Sequence, residues 1–213
     1  MKKAGSGIVA AVIMALLAAP GGPAGLARAD APPGSGLVLV CLDPGHGGND
    51  SGANYNGVQE KLVNLDIALR AKPIIEGMGY RVLMTRTDDS TLSLQERCDI
   101  ANRANATIFV SIHNNAYMTD SEGTETFCYY NSEEGRRLAT AVHRQVVRRI
   151  KLPDRGVKEA GFYVLKHTDM TSALVEGAFL TNPAEALLLQ DPRFRQKIAE
   201  GVAAGINDFL MDP

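Results

Sequence analysis

Val38-Leu39-Val40-Cys41-Leu42-Asp43-Pro44-Gly45-His46-Gly47-Gly48 decides how this chain is read. The apolar run has the look of a buried strand. Asp43-Pro44 stops it, because proline cannot extend a sheet ladder. A single imidazole then stands among glycines, which free the backbone to turn and leave the ring uncrowded. A histidine at the carboxyl end of a buried strand lies where open α/β sheets bind ligands.

Reading outward, Asn49 to Gly57 is a polar, glycine-rich loop. A helix is expected from about Glu60, with Leu62, Leu65, Ala68 and Leu69 on one face. Pro73 should kink or end it. Tyr80 to Thr85 reads as a strand. Ser93-x-x-Glu96 is a capping box that opens a helix to about Asn105. Thr107 to Ile112 is a nearly continuous apolar strand ending in His113-Asn114-Asn115, and Thr124 to Tyr130 is another. Asn131 to Ile150 is a helix with Leu138, Val142 and Val146 spaced by four; its arginine-rich opposite face places His143 at the surface. Phe162 to Lys166 and Ala173 to Phe179 read as strands. Asn182-Pro183-x-Glu185 and Asp191-Pro192 are helix starts. Phe194, Ile198, Val202, Ile206 and Phe209 line the last helix. Strands alternating with helices predict an α/β fold: a single domain, a mainly parallel twisted sheet of about six strands, and helices on both faces.

The chain has 213 residues, 45% of them hydrophobic, enough for one domain with a sizeable core. A formal net charge of -2 gives no case for nucleic acid. Residues 1–29 read as a signal peptide: Lys2-Lys3, an apolar run from Ile8 to Ala19, then Ala27-Arg28-Ala29 as the cleavage pattern. The run is short of the ~20 residues that a bilayer span needs. Residues 30–36 are a loose leader, and 37–213 the exported domain, with no membrane span after cleavage. Cys41, Cys98 and Cys128 lie in apolar-patterned segments and read first as small core residues.

Two histidines, His46 and His113, now stand at the ends of two buried strands. Glu60 opens a helix, and Glu176 interrupts the apolar strand Ala173-Leu174-Val175-Glu176-Gly177-Ala178-Phe179. A carboxylate inside such a run is costly to bury unless it is paired or serves a metal. One zinc ion gives all four a reason. Its catalytic sites take three protein ligands and leave one position for water. His46, Glu60 and His113 are the expected ligands, with Glu176 taking the water's proton and passing it to the leaving nitrogen. Asn114, Asn115 and His167 are candidate substrate contacts. Asp43 is a candidate partner for a ligand's second ring nitrogen, since metal histidines usually donate it to an oxygen.

Leu42-Asp43-Pro44-Gly45-His46-Gly47-Gly48, Glu60-Lys61, Phe109-Val110-Ser111-Ile112-His113-Asn114-Asn115 and Leu174-Val175-Glu176-Gly177-Ala178-Phe179-Leu180-Thr181-Asn182 together resemble the blocks of the zinc-dependent N-acetylmuramoyl-L-alanine amidases, type 3. The resemblance runs from about Leu37 to Leu210. It implies a peptidoglycan hydrolase cutting the amide between N-acetylmuramic acid and L-alanine. It also puts the family's zinc ligands on His46, Glu60 and His113, and its catalytic glutamate on Glu176. Two departures stand out. Only a short loop joins His113 to Gly123, where some members carry a helical plug, so an open site is expected. Asp169-Met170-Thr171-Ser172 lacks the proline that relatives often have after the methionine. A monomer is expected, with targeting or activation left to the domain itself or to a partner protein. Read from ligand types alone, a zinc peptidase cutting within the stem peptide stays open, as does a cysteine hydrolase using Cys41 or Cys128.

Overall fold

The computed structural model describes residues 38–212; the expected signal peptide and leader lie outside them. β1 (Leu39–Pro44) is buried along its whole length, as its apolar run demands. A short hairpin, β2 (Asn54–Tyr55) and β3 (Val58–Gln59), leads into α1 (Glu60–Gly77). Then follow β4 (Arg81–Met84), α2 (Leu94–Arg103) and β5 (Ile108–Asn115). β6 (Thr124–Cys128), α3 (Glu133–Ile150) and β7 (Asp154–Glu159) come next. The chain closes with α4 (Tyr163–His167), β8 (Thr171–Phe179), α5 (Pro183–Gln190) and α6 (Pro192–Met211).

The main sheet has six strands in the order β4-β1-β5-β8-β6-β7. β4, β1, β5 and β8 run parallel, while β6 pairs antiparallel with β8 and parallel with β7. One sheet edge therefore carries the carboxyl ends of four strands and the amino ends of two. Alternate side chains on each strand face opposite layers. Val40, Leu42, Ile108, Val110, Ile112, Ala173 and Val175 join the large core with α1, α3, α5 and α6. Leu39, Cys41, Phe109 and Leu174 form a smaller cluster with α2 and α4. Each aliphatic side chain so buried contributes about 1.5–3 kcal/mol. The second layer is thin, and the strand ends beyond it stay open.

Four expectations are corrected. Phe162 to Lys166 is not a strand: Val164 and Leu165 are consecutive and both pack into the smaller cluster, which a strand's alternation forbids and a helical turn allows. The sixth strand is instead Asp154–Glu159, a polar sheet edge without the apolar alternation by which strands are recognised. In α1 the buried stripe is Glu60, Val63, Asn64, Ile67, Ala68, Ala71 and Ile75; Leu62 and Leu69 are exposed. Pro73 sits inside α1 without ending it; it lies on the solvent side, where the carbonyl it deprives of a partner is free to bond water. His143 is buried, not a surface group. Its Nδ1 meets Thr126 Oγ1 at 3.1 Å and its Nε2 meets Asp154 Oδ1 at 2.7 Å, so it ties α3 to β6 and β7. The three cysteines are free and buried, as their apolar settings suggested.

Candidate active site

β1 ends at Pro44 and the chain turns sharply. His46 itself takes a left-handed backbone, φ 61°, a region that few residues other than glycine enter. Two arginines from beneath fix this turn. Arg86 donates to the carbonyls of Pro44 and Gly45, each at 2.9 Å, and Arg97 to those of Pro44 at 2.9 Å and His46 at 2.7 Å. Asp43 anchors the second arginine: its Oδ1 accepts from Arg97 at 2.8 Å and from Thr85 at 2.7 Å, and its Oδ2 from Ser111 at 2.7 Å. Asp43 is thus not the expected partner of a histidine ring. That place belongs to Asp50, whose Oδ2 lies 2.8 Å from His46 Nδ1.

With Nδ1 so occupied, His46 turns Nε2 inward, 3.2 Å from Glu60 Oε2. His113, on β5, places Nδ1 2.9 Å from Glu60 Oε1. The two rings stand edge to face, centroids 4.8 Å apart. One donor atom from each of His46, Glu60 and His113 falls within 4.8 Å of the others. Close approach makes Gly45 necessary: a Cβ there would lie 2.1 Å from the His113 ring. Glu60 is held in turn by the backbone N–H of Ala53 at 2.9 Å and by Asn64 Nδ2 at 3.1 Å. Burial opposes its charge, but the hydrogen bonds and charges of His113 and His46 prevail and hold its carboxyl well below the usual range. His46 feels the reciprocal pull: burial disfavours its imidazolium, and Glu60 with Asp50 raises its pKa regardless.

Glu176 stands on β8 directly beside His113 in the sheet register. Its Oε2 is buried and accepts no hydrogen bond among the described residues. Burial first, then the charges of Glu60 and Glu125, pushes its pKa well above the carboxylate range. The three convergent donors with an unpartnered carboxylate next to them fit one metal ion and a proton-transfer group. A cavity of about 360 Å³ opens over them, lined by Leu92, Leu94, Phe162, Tyr163, Val164 and Leu174 besides the site residues. The loop between β5 and β6 holds no helix, so nothing of it plugs the cavity.

The remaining candidates fare differently. Asn114 is a correction: it is buried, and its Nδ2 donates inward to Asn64 at 2.9 Å, away from any substrate. It follows His113 by one residue, so the strand turns it to the opposite face. Asn115 donates to Glu125 Oε1 at 2.6 Å. His167 does not line the cavity; it is exposed and stacks on Tyr163 with centroids 4.1 Å apart. The cysteines are excluded as nucleophiles: burial, and then the charge of Asp43, pushes the Cys41 thiol far up, and burial leads in raising Cys128. Sequence reading missed Asp50, Asn64, Arg86 and the role of Arg97. Asn64 was recoverable, since it shares the Val63-Ile67-Ala71-Ile75 stripe with Glu60.

Comparison with known proteins agrees with this geometry. The profile of one family, N-acetylmuramoyl-L-alanine amidase, matches residues 40–208. The amidase LytC of Bacillus subtilis is 41% identical over 169 residues, 78% of this chain and 34% of LytC. The solved amidase AmiC2 of Nostoc punctiforme is 40% identical with a TM-score of 0.79, covering 84% of this chain and 99% of that one. The CwlD amidase of Clostridioides difficile, solved with the GerS lipoprotein, is 33% identical with a TM-score of 0.80, covering 83% of this chain and all of the other, 100%. The chain belongs to the N-acetylmuramoyl-L-alanine amidase family.

Proposed function

We propose that this enzyme is a zinc-dependent peptidoglycan amidase, with His46, Glu60 and His113 as the metal ligands and Glu176 as the proton-transfer group. The bond cut is the amide between the lactyl group of N-acetylmuramic acid and L-alanine. The observation that carries the reading is the convergence of three donors from separate elements beside an unpartnered buried carboxylate. Nitrogen and oxygen donors in this number suit zinc. Zinc held there supplies Lewis acidity, lowering the pKa of a bound water to ~7 and polarising the scissile carbonyl. Glu176 takes the proton of the attacking water. It then delivers that proton to the departing L-alanine amine. Asp50 keeps the His46 ring in the orientation that turns Nε2 inward.

The same reading makes residues 1–29 a signal peptide, residues 30–36 a leader and the mature enzyme an exported monomer acting on peptidoglycan. Among the described residues no helix is long and apolar enough to cross a membrane. The GerS complex of CwlD supports an activating or targeting protein as a partner here too. Metal analysis with digestion of purified peptidoglycan tests the proposal. One zinc per chain and new L-alanine amino ends are expected. New amino ends on another stem residue would make it a peptidase instead.

A further inference from the structure

The sheet register sets a row of side chains on the open face. His113 on β5 is level with Glu176 on β8, and Glu176 is directly opposite Glu125 on β6. Glu125 is buried, yet it meets two cations: Arg155 Nε at 2.9 Å and Lys158 Nζ, both from β7. One carboxylate thus answers two cations on this pair of strands. Lys158 spends one hydrogen bond on Glu125, and Arg155 Nη2 makes none among the described residues, although its guanidinium lies over the Phe179 ring, 4.9 Å from the centroid. Both side chains reach solvent, 36% exposed for Arg155 and 42% for Lys158. The cavity wall is apolar at Leu92, Leu94 and Phe162, the last edge to face with Phe127 of β6, ring centroids 5.1 Å apart, and neither cation lines that cavity.

From this pair of exposed cations, held by Glu125 in the same row as Glu176, we infer that Lys158 and Arg155 form a subsite for a substrate carboxylate, and that they set the direction in which the substrate lies. This deepens the amidase reading and rests on it. The acyl side of the scissile amide is a neutral sugar with a lactyl group. The amine side is a peptide whose residue after L-alanine carries either a free carboxylate or a carboxamide. The anionic peptide lies over β6 and β7, and the sugar points away from them. A free carboxylate there meets unspent N–H donors; a carboxamide meets the same groups without the charge.

The test compares two muramoyl peptides, one with glutamate after L-alanine and one with the α-carboxamide in its place. Lys158→Met is expected to raise KM for the carboxylate substrate about tenfold, to leave kcat near wild type, and to change the carboxamide substrate little. Lys158→Arg should restore the preference. In the wild type, added salt should raise KM for the carboxylate substrate and not for the other, a readout that needs no variant to fold. Parallel losses on both substrates would show a structural role and overturn the inference, as would no change on either. Wild-type enzyme that cleaves neither substrate would overturn the amidase reading, and this subsite with it.

Discussion

Single atoms decide this site. Glu176 is worth its burial only if it handles a proton, so Glu176→Ala should keep the fold and bind metal while turnover falls at least about a hundredfold. Normal melting and metal content with lost release of soluble peptide is the expected pattern; normal turnover would remove Glu176 from the chemistry. Gly45→Ala probes the cluster from behind. Its methyl would stand 2.1 Å from the His113 ring, so the imidazole must tilt away from Glu60. Metal affinity, read by competition with a chromophoric chelator, should drop by about ten- to a hundredfold, the range seen when support of a ligand is lost. Unchanged affinity would mean that the ring has room to give.

Between elements, the large layer is held by close helix packing and by ion pairs, among them a cluster at Asp66. Gly205 of α6 lies against α3 so closely that a Cβ would meet Val142 Cα at 2.3 Å. Gly205→Ala should therefore cost about 1–3 kcal/mol in denaturant unfolding, the range for overpacking. Asp66 of α1 accepts from Arg70 of the same helix at 2.7 Å and from Arg195 of α6 at 2.5 Å. Burial raises its pKa, but those two guanidinium groups outweigh burial and lower it. A depressed carboxyl stabilises the fold above its unfolded pKa and loses that contribution as pH falls through its folded pKa. Asp66→Asn should accordingly melt below wild type at pH 7, with the two converging under acid, below about pH 4. A constant gap at every pH would dismiss the ion cluster as the cause. These elements also show what sequence can carry. The strands that carry His113 and Glu176, and the one that leads into His46, declare themselves because each is a mainly apolar run that polar residues interrupt or end. β7 does not, because an edge strand needs no apolar face. α4 misleads, because Phe-Tyr-Val-Leu has strand propensity that packing overrides. The proposed metal ligands were legible as exceptions within patterns. Asp50, Arg86 and Arg97 were not, because they act on backbone carbonyls or a ring nitrogen, and such contacts leave no periodic trace.

Across the whole molecule, the proposed ion would link β1, α1 and β5, elements otherwise joined by packing and strand pairing. Binding to the folded state alone raises stability with ligand concentration. Chelation should thus lower the melting temperature by several degrees, consistent with about 2.7 kcal/mol at a hundredfold excess over Kd, and zinc should restore it. An identical melt with and without chelator would speak against a bound ion in the folded chain. The thin α2–α4 layer leaves the catalytic edge open without rearrangement, in keeping with a long polymer as substrate and with a short loop after β5 in place of a plug.

Arg86 and Arg97 grip three successive carbonyls at the turn bearing His46. That grip is made by groups that bind no cation themselves, so it should hold the first proposed ligand in place whether or not a cation has arrived. Capture would then be a collision followed by desolvation, with no loop to rebuild: stopped-flow loading should rise linearly with metal concentration, and a plateau would betray a hidden ordering step.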